Sequence, residues 1–598
     1  MTSPPPADTA RLRAWLDEVR SGRLPRRAFV QRLAALGVTA PMAGLMLLDA
    51  GVASAAPAYA PTKAGGGGLL KMLIWQGPTL LNPHFANGTK DQEAARIFYE
   101  PLARWDPEGG LHPVLAADLP SRDNGGIAAD GKSVLWKLKP GVLWHDGKPF
   151  TADDVVFTMR YCADPATASV SIGAVQGLVF EKVDALTVRV LFNRPTPFWP
   201  GSYTALQIIP KHLFEGFFGA KSRDAPANLK PVGTGPYTFT DFKPGDLVRG
   251  ERNPRYHQPN RPHFDRIELK GGGDAVSAAR AVLQTAEYDY AWNVQVEDEV
   301  LLRLEASGKG RLDFLNGGAA ETIYLNTTDP VAVVDGERAS PKSRHPVLGD
   351  VAVRQAFGLL VDRAAVQKYI YGRGGVATAN FLHNPAKYRS AGTRMEFSVE
   401  KAAALLDAAG WKPGAGGVRS KNGVPLRLVF QTTNNPLRQK TQGIVKQAAQ
   451  KAGIALELKS VAGSIFFSSD QGNPDTVGKF WADIQMYTAD QGTPDPQRHM
   501  QRFVSWEVSS KANKWSGLNV TRWRNAEYDA AFKAAENELD PVKRTALFIR
   551  MNDLVCNDGF VVPLIYRPSV AALRNNIVAE LSGWSEELGS LQDWHRQA

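Results

Sequence analysis

The chain of 598 residues is 43% hydrophobic and 22% charged, which is ordinary for globular protein and long enough for two to four domains. Its formal net charge of +10 would permit binding to nucleic acid or to a membrane surface. The surplus is small for a chain of this size and contains no block of Lys and Arg, so we expect no nucleic-acid partner.

The first 60 residues have the features of a targeting segment rather than of a folded domain. A pair of arginines at positions 26 and 27 precedes Phe29, an apolar run over 33–48 and then small residues. This order is typical of a twin-arginine export signal, with cleavage after Ala55 or after Ala60. The run is too short and too broken by Gly and Pro to predict a membrane span. The alternative to an export signal is an amphipathic helix that stays attached.

Apolar periodicity predicts alternating strands and helices along the rest of the chain. The predicted strands lie at 69–75, 135–139, 142–145, 185–192, 288–292, 426–431 and 455–458. The predicted helices lie at 92–99, 275–285, 351–357, 398–410 and 438–452, and two more begin at Thr151 and Pro210. This alternation predicts a mixed α/β protein.

The stretch from Leu135 to Tyr161 has the most distinctive order of elements: strand, turn, strand, turn, capped helix. Thr151 and Asp154 form a Thr-x-x-Asp cap, and the other polar residues are those that turns require. Nothing in the stretch indicates catalysis. Its central sequence, WKLKPGVLWHDGKPFTADDVVF, resembles the segment typical of solute-binding proteins of family 5, the peptide and nickel receptors of ABC importers.

Further phrases of the same family follow in order, so that the resemblance spans nearly everything after residue 69. They lie at 99–105, 115–120, 231–237, 321–326, 351–363 and 561–566. The resemblance implies a type II periplasmic-binding-protein fold, which is α/β, with two lobes joined by hinge crossovers and an extra domain in the first lobe.

The same resemblance divides the chain into segments. They are the signal region 1–60, domain I of the first lobe at 65–115 and 206–325, domain II at 116–205, domain III (the second lobe) at 326–555, and a return to domain I at 556–598. Residues 328–347 are longer and more polar than the crossover needs, which predicts a surface insertion.

The function that the resemblance implies is capture of a peptide or similar polar solute by lobe closure in the periplasm. A monomer would deliver the solute to a permease and ATPase and would meet the membrane only through them. The alternatives are a periplasmic enzyme acting on peptides or amides, a receptor for nickel or another solute, and a receptor that signals to a sensor.

Motifs for other chemistry are missing from the sequence. It has no His-Glu-x-x-His, no Gly-x-Ser-x-Gly, no Cys/His cluster at zinc spacing and no Walker loop, and the Gly-Thr-Gly-Pro at 233–236 does not fit a phosphate loop. We therefore expect no enzyme, no cofactor and no metal site.

The best candidate for a ligand contact is Asp490, in the sequence YTADQGTPDP. This run resembles the family's aromatic-x-x-Asp loop, whose Asp holds the ligand amine in peptide-binding members, and Tyr487 stands where that loop has a Trp. The alternative is that Asp490 and Asp495 only cap turns. A partner for the ligand carboxylate is less clear, because dipeptide binders place an Arg just before an Asn-Pro phrase and here Arg438 comes after it.

Trp75 is a candidate for the wall of the cleft, because in an α/β binding protein the loop at the carboxyl end of the first strand faces the cleft. Trp292, Asn326 and Trp481 are further candidates, because each ends or follows a strand near a predicted crossover. Ordinary packing is the alternative for each. The two cysteines, Cys162 and Cys556, are interpreted as separate buried thiols rather than as a disulfide. Neither lies beside the apolar run, which favours a free periplasmic protein over a lipid-anchored one.

Overall fold

The computed structural model describes residues 61–597 except 87, 198, 202, 415, 468–471, 516 and 585–586, together with residues 15, 18 and 19. The chain divides into two units, Met1–Thr62 and Lys63–Ala598. In the first unit, the three described residues are helical. The predicted arginine pair, apolar run and cleavage positions lie outside the described residues.

A seven-stranded mixed sheet forms the centre of the first lobe. Leu70 and Met72 of its middle strand belong to the hydrophobic cluster on one face, and Leu73 belongs to the cluster on the other, as expected for a strand covered on both sides. The order across the sheet is Gly310–Leu315, Ser569–Arg574, Tyr290–Ala291, Leu69–Ile74, Arg266–Gly271, Leu247–Arg252 and Tyr237–Lys243.

A six-stranded mixed sheet forms the second lobe. Arg427–Thr433 runs parallel to both of its neighbours, and the helix Pro436–Lys451 connects it to one of them, which confirms the predicted βαβ unit. The order across the sheet is Val376–Ala377, Val561–Tyr566, Ala320–Leu325, Ile484–Ala489, Arg427–Thr433 and Ala455–Val461.

The chain passes between the two large sheets twice within the described residues. Residues 316–319 lead from the strand Gly310–Leu315 to the strand Ala320–Leu325, and residues 567–568 lead back from Val561–Tyr566. The second lobe is therefore one continuous insertion into the first.

A small antiparallel sheet forms an extra domain in the first lobe, with strands in the order Ser133–Lys137, Thr187–Leu191 and Val179–Asp184. Its helix Ala152–Ala163 begins with the predicted cap, in which the Asp154 carboxylate accepts the Thr151 N–H at 2.9 Å. Trp136 of this domain belongs to the same hydrophobic cluster as Leu70 of the large sheet. The extra domain thus packs onto the first lobe through a shared core.

The longer helices of the described residues complete both lobes: Thr89–Arg96, Ala152–Ala163, Ala275–Leu283, Asp298–Glu305, Val351–Leu359, Val399–Ala408, Pro436–Lys451, Ala526–Ala535 and Pro541–Asn557. None of the helices in the described residues has the length and apolarity needed to cross a membrane.

Each lobe has its own hydrophobic core. The second-lobe cluster runs from Ile323 to Ile565, and the two first-lobe clusters contain no residue of that range among those described. Cys162 lies in a first-lobe cluster and Cys556 packs against the second-lobe cluster, and both are free, which confirms the interpretation as separate thiols. The contacts that join the lobes are largely polar, as described below.

The predicted strand at 142–145 is wrong. Leu143 makes only an isolated bridge to Pro149, and the Trp144 N–H donates to the Lys148 carbonyl at 2.8 Å in a tight turn. Because proline has no N–H, it cannot extend the ladder beyond that bridge. Trp144 packs instead against Phe150, with ring centroids 5.8 Å apart.

Candidate functional site

The two crossing segments lie side by side where the lobes meet. The Arg567 N–H donates to the Ala319 carbonyl at 3.0 Å, so the segments are hydrogen-bonded to each other. Gly317 lies against Gly583 of the first lobe, and a Cβ added to it would be 1.9 Å from the Gly583 carbonyl oxygen. Only glycine fits such a close approach, which makes this segment a fixed point beside the cleft.

A cavity of about 260 Å³ lies between the extra domain and the second lobe. Residues of the range 173–201 line it from the first lobe, and residues of the range 495–536 line it from the second. Arg194 and Glu536 form an ion pair across it at 2.7 Å. Because both lobes supply its walls, a molecule held there contacts both of them at once.

The loop containing Asp490 begins at the crossing segments. The strand Ile484–Ala489 pairs with Ala320–Leu325 so that Ala489 is opposite Ala320, the first strand residue after the crossing. Asp490 therefore comes directly beside the hinge, and its side chain is exposed. Its carboxylate accepts the Gly492 N–H at 3.0 Å, a local turn bond that leaves further acceptor capacity.

The second acidic residue of this loop, Asp495, is held by an ion pair. Its carboxylate bonds both terminal nitrogens of Arg544, one of them at 3.0 Å. It also accepts the Gln497 N–H at 2.9 Å. Asp495 thus fixes the loop to the helix Pro541–Asn557 and has the structural role that the turn-capping alternative assigned to it.

Two arginines follow on the same loop. Arg498 lines the cavity, and Arg502 donates to the Asp490 carbonyl at 3.2 Å. The protein surrounds most of the Arg498 guanidinium although the side chain reaches solvent in the cavity, and this desolvation, together with the Arg502 charge, lowers its pKa. The loop therefore carries positive charge to the cavity wall.

The model of the bacterial extracellular solute-binding proteins, family 5, matches residues 110–510. The chain belongs to this family. The match includes the extra domain, the first crossing segment and the loop at 490–502.

Relatives and solved structures of similar extent agree with this assignment. The oligopeptide-binding protein AppA of Bacillus subtilis (strain 168) is 24% identical over 531 residues, which cover 86% of this chain and 89% of AppA. The structure of AppA from Bacillus subtilis in complex with a nonapeptide has a TM-score of 0.73 at 22% identity and covers 90% of this chain and 100% of that one. NikZ from Campylobacter jejuni in complex with Ni(L-His) has a TM-score of 0.72 at 22% identity, covering 88% and 99%. The fold is that of a type II periplasmic binding protein, as predicted.

In this family-5 protein, Arg438 lies in a buried ion pair with Glu321. The Arg438 Nε donates to Glu321 Oε1 at 2.7 Å, and its other nitrogens donate to Thr433 and Thr488 at 2.9 and 3.0 Å. Burial alone would raise the pKa of Glu321, but the Arg438 charge and the bonds to the carboxylate lower it. The guanidinium is thus engaged within the second lobe, and we leave Arg438 out of the proposed contact surface.

Trp75 and Trp292 lie together in the first lobe, at the carboxyl ends of adjacent parallel strands. The Trp75 indole N–H donates to the Asn293 carbonyl at 3.1 Å, and Trp292 is only 5% exposed. Nearby, Gln295 accepts a hydrogen bond of 3.2 Å from Asn435 of the second lobe. Trp75, which is half-buried, therefore remains a candidate wall residue, whereas Trp292 is mostly core.

Tyr487 is mostly covered by its own lobe. Its ring stacks on Tyr324 with centroids 4.6 Å apart, and it is 7% exposed. The residue therefore supports the strand that carries Asp490 and contributes at most an edge to the cleft.

Asn326 and Trp481 lie at the end of the second-lobe sheet away from the crossing. Asn326 follows a strand of six residues that starts at the hinge, so it is about 20 Å farther along. It is fully buried, and its amide donates to the Phe480 and Ala482 carbonyls at 2.9 and 3.2 Å. Trp481 packs edge-on against Trp515 at 6.2 Å. A strand that begins at a crossover carries its far end away from the cleft, so a position at that end does not indicate a wall residue. Asn326 and Trp481 are therefore not part of the proposed site.

The sequence interpretation missed the cavity-lining residues Gln497 and Arg498. Both come directly after the Asp-Pro phrase that closes the recognised loop, which is the signal that could have found them. The lobe-to-lobe pair Arg194–Glu536 left no local signal, because its partners are distant in sequence. In the described part of the chain, no cluster of three or more His, Cys, Asp or Glu side chains is arranged to hold a metal ion.

Proposed function

We propose that this family-5 protein is the periplasmic receptor of an ABC importer, capturing a peptide or a similar polar solute between its lobes. It delivers the solute to a separate permease and ATPase and does not transform it. The observation that carries the proposal is the cavity of about 260 Å³ whose walls come from two lobes joined by only two crossing segments in the described chain.

The contacts between the lobes support capture by closure. Arg194–Glu536, Lys440–Glu297 and Arg373–Asp298 are ion pairs at 2.7, 2.7 and 2.8 Å, and none has both side chains buried. Pairs of this kind contribute about 0–1 kcal/mol each. These ion pairs therefore hold the lobes together only weakly, and a ligand that touches both walls favours the closed form.

Asp490 is the proposed partner for the amino terminus of a peptide ligand. It is exposed and lies beside the crossing segments, where the two lobes meet. A ligand amine desolvated by closure needs such a carboxylate, because an unpaired buried charge is costly.

Export by the twin-arginine route is the proposed source of the periplasmic location. It rests on the order of the arginine pair, the apolar run and the small residues in the first 60 positions. Replacing Arg26→Lys together with Arg27→Lys should leave the protein in the cytoplasmic fraction. Unchanged export of that variant would contradict the proposed route and leave the binding function untouched.

The experiment that tests the function is mass spectrometry of the compounds released when the purified exported protein is denatured. We expect an intact peptide or another polar solute at close to one per protein, and small-angle scattering should show a smaller radius of gyration when that compound is added back. Peptide pools and Ni(L-His) serve as additional probes. A protein that releases nothing and whose scattering changes with neither probe would refute the proposal, and cleavage of the peptides would favour the enzyme alternative.

A further inference from the structure

The charges that line the cavity between the lobes are equal in number, but one of the acids is paired with an arginine outside the lining. Four charged side chains line it: Arg194, Asp495, Arg498 and Glu536. Glu536 is neutralised by Arg194 at 2.7 Å, and Asp495 by Arg544 at 3.0 Å. Arg498 makes no ion pair with any described carboxylate, so one guanidinium faces the cavity without a counter-charge.

A second donor lies beside it on the same loop. Gln497 is 4% exposed and lines the cavity, yet its Nε2 has no acceptor among the described residues. Its Oε1 accepts a hydrogen bond of 3.2 Å from Arg544, which fixes the orientation of the amide because a guanidinium cannot bond to an NH₂ group. The NH₂ group is therefore covered by protein and lies behind the cavity wall without an acceptor among the described residues.

The space in front of the guanidinium is kept open from the opposite lobe. Gly173 of the extra domain lies there, and a Cβ added to it would already be 3.7 Å from the Arg498 Nη2. The backbone of Gly173 does not need glycine, because its φ is not in the left-handed region. A larger side chain at this position would fill the space that a ligand group requires.

The rest of the lining is apolar. Phe192 and Leu178 contribute from the extra domain and Phe532 from the second lobe. A guanidinium that faces the cavity without a counter-charge suits an anionic oxygen pair, and a carboxylate bonds to it through both oxygens. The apolar lining suits a hydrocarbon group next to that carboxylate.

The geometry points to Arg498 as the contact for the terminal carboxylate of a peptide whose last side chain is apolar. This inference rests on the proposed function and makes it more specific. It also supplies the carboxylate partner that the sequence left open after Arg438, whose guanidinium is engaged with Glu321.

The test uses native mass spectrometry of the purified protein with two probes: a pool of three- to five-residue peptides ending in Leu or Phe with free carboxylates, and the same pool ending in carboxamides. We expect the wild type to prefer the free acids by about tenfold or more, the scale of a hydrogen bond to a charged group. Arg498→Gln should bind both pools alike. Arg427→Gln, a change of an exposed arginine on the same lobe, should keep the preference.

A second variant keeps the charge and removes the space. Gly173→Leu should weaken binding of the free-acid pool by about tenfold or more although Arg498 is intact. Each variant should have the same thermal unfolding temperature as the wild type, which would show that it is folded.

The outcomes separate the two levels of the proposal. Equal binding of both pools by the wild type, or an undiminished preference in Arg498→Gln, would overturn this inference and leave the receptor function standing. Binding of neither pool by the wild type would overturn the inference together with the peptide as proposed ligand.

Discussion

At the scale of single residues, the acidic side chains near the cleft differ in their bonding partners. Glu321 is engaged by Arg438 inside the second lobe, and Asp495 by Arg544. Asp490 is exposed beside the hinge with a local turn bond. Its position, rather than its residue type, makes it the acid best placed to meet a ligand.

Asp490→Asn is expected to weaken binding of peptides that have a free amino terminus by about tenfold, because an amide cannot neutralise the ligand's ammonium group. Binding of the same peptides in N-acetylated form should change little. Calorimetric titration measures both affinities. Asp184→Asn is the matched control, because Asp184 is also exposed and also accepts a local N–H, from Leu186 at 2.8 Å. Equal losses for the free and acetylated peptides would contradict the role of Asp490.

Glu587 gives the molecule a pH dependence that is unrelated to binding. Burial, together with the nearby Glu93 charge, raises its pKa to about 8, and its carboxyl bonds the Tyr290 hydroxyl at 2.6 Å. At pH values between the usual glutamate pKa and about 8, Glu587 keeps its proton in the folded state but has lost it in the unfolded state. The free energy of unfolding therefore falls as pH rises through this window.

Glu587→Gln removes that proton uptake and keeps an acceptor for Tyr290. Relative to the wild type, the variant should gain stability with rising pH between 5 and 8, at up to about 1.4 kcal/mol per pH unit. Urea denaturation at several pH values gives the difference. The exposed Glu251→Gln should show no such trend, and parallel curves for wild type and Glu587→Gln would show the expectation to be mistaken.

The sequence predicted those site residues that belong to a recognisable run of consecutive residues, and it failed for residues that only the folded chain brings together. Asp490 belongs to a phrase of consecutive residues, so sequence alone placed it in a loop, and the structure places that loop beside the hinge. Asn326 was chosen by position along a strand, and the strand runs away from the hinge. Arg194 and Glu536 meet only in three dimensions, and no local pattern could have paired them.

At the scale of elements, the first crossing segment is constrained by contact rather than by flexible backbone. Gly317 approaches Gly583, and a Cβ on the adjacent Gly318 would lie 2.3 Å from the Gln491 Cβ, on the loop that begins at Asp490. Apolar periodicity predicted individual strands and the family resemblance implied the crossover, whereas these close approaches depend on how the lobes and the loop meet. Sequence therefore predicted the crossover but not its glycines.

Gly317→Ala should lower the unfolding temperature and weaken ligand binding, because the added methyl group collides with the Gly583 backbone. Gly358→Ala is the matched control: nothing lies within 4 Å of an added Cβ in the helix Val351–Leu359, so it should be neutral or stabilising by up to about 1 kcal/mol. Calorimetric unfolding and titration measure both effects. If the two substitutions changed the unfolding temperature and the ligand affinity equally, the close contact at Gly317 would contribute nothing to either.

At the scale of the whole molecule, two apolar cores are joined by a polar contact surface. The lobes can separate there without exposing a core. Arg194 and Glu536, on opposite walls of the cavity, are part of what holds them together.

Glu536→Gln should raise the ligand dissociation constant by at most about fivefold, since a partly exposed ion pair contributes up to about 1 kcal/mol. The same change should lessen the weakening of binding by added salt. Titration at low and high ionic strength measures both, with Glu527→Gln as the control, because Glu527 pairs with Arg550 within the second lobe. A variant with the wild-type salt dependence would show that the Arg194–Glu536 pair has no part in closure.

The return of the chain to the first lobe has a consequence for how the protein is made. The strand Ser569–Arg574 lies between Gly310–Leu315 and Tyr290–Ala291, so it bridges parts of the first sheet that were synthesised long before it. That sheet stays divided until nearly the whole chain has left the ribosome. A premature stop between residues 320 and 560 would therefore disrupt both lobes, because the product would lack the strand Ser569–Arg574 of the first sheet and the strand Val561–Tyr566 of the second.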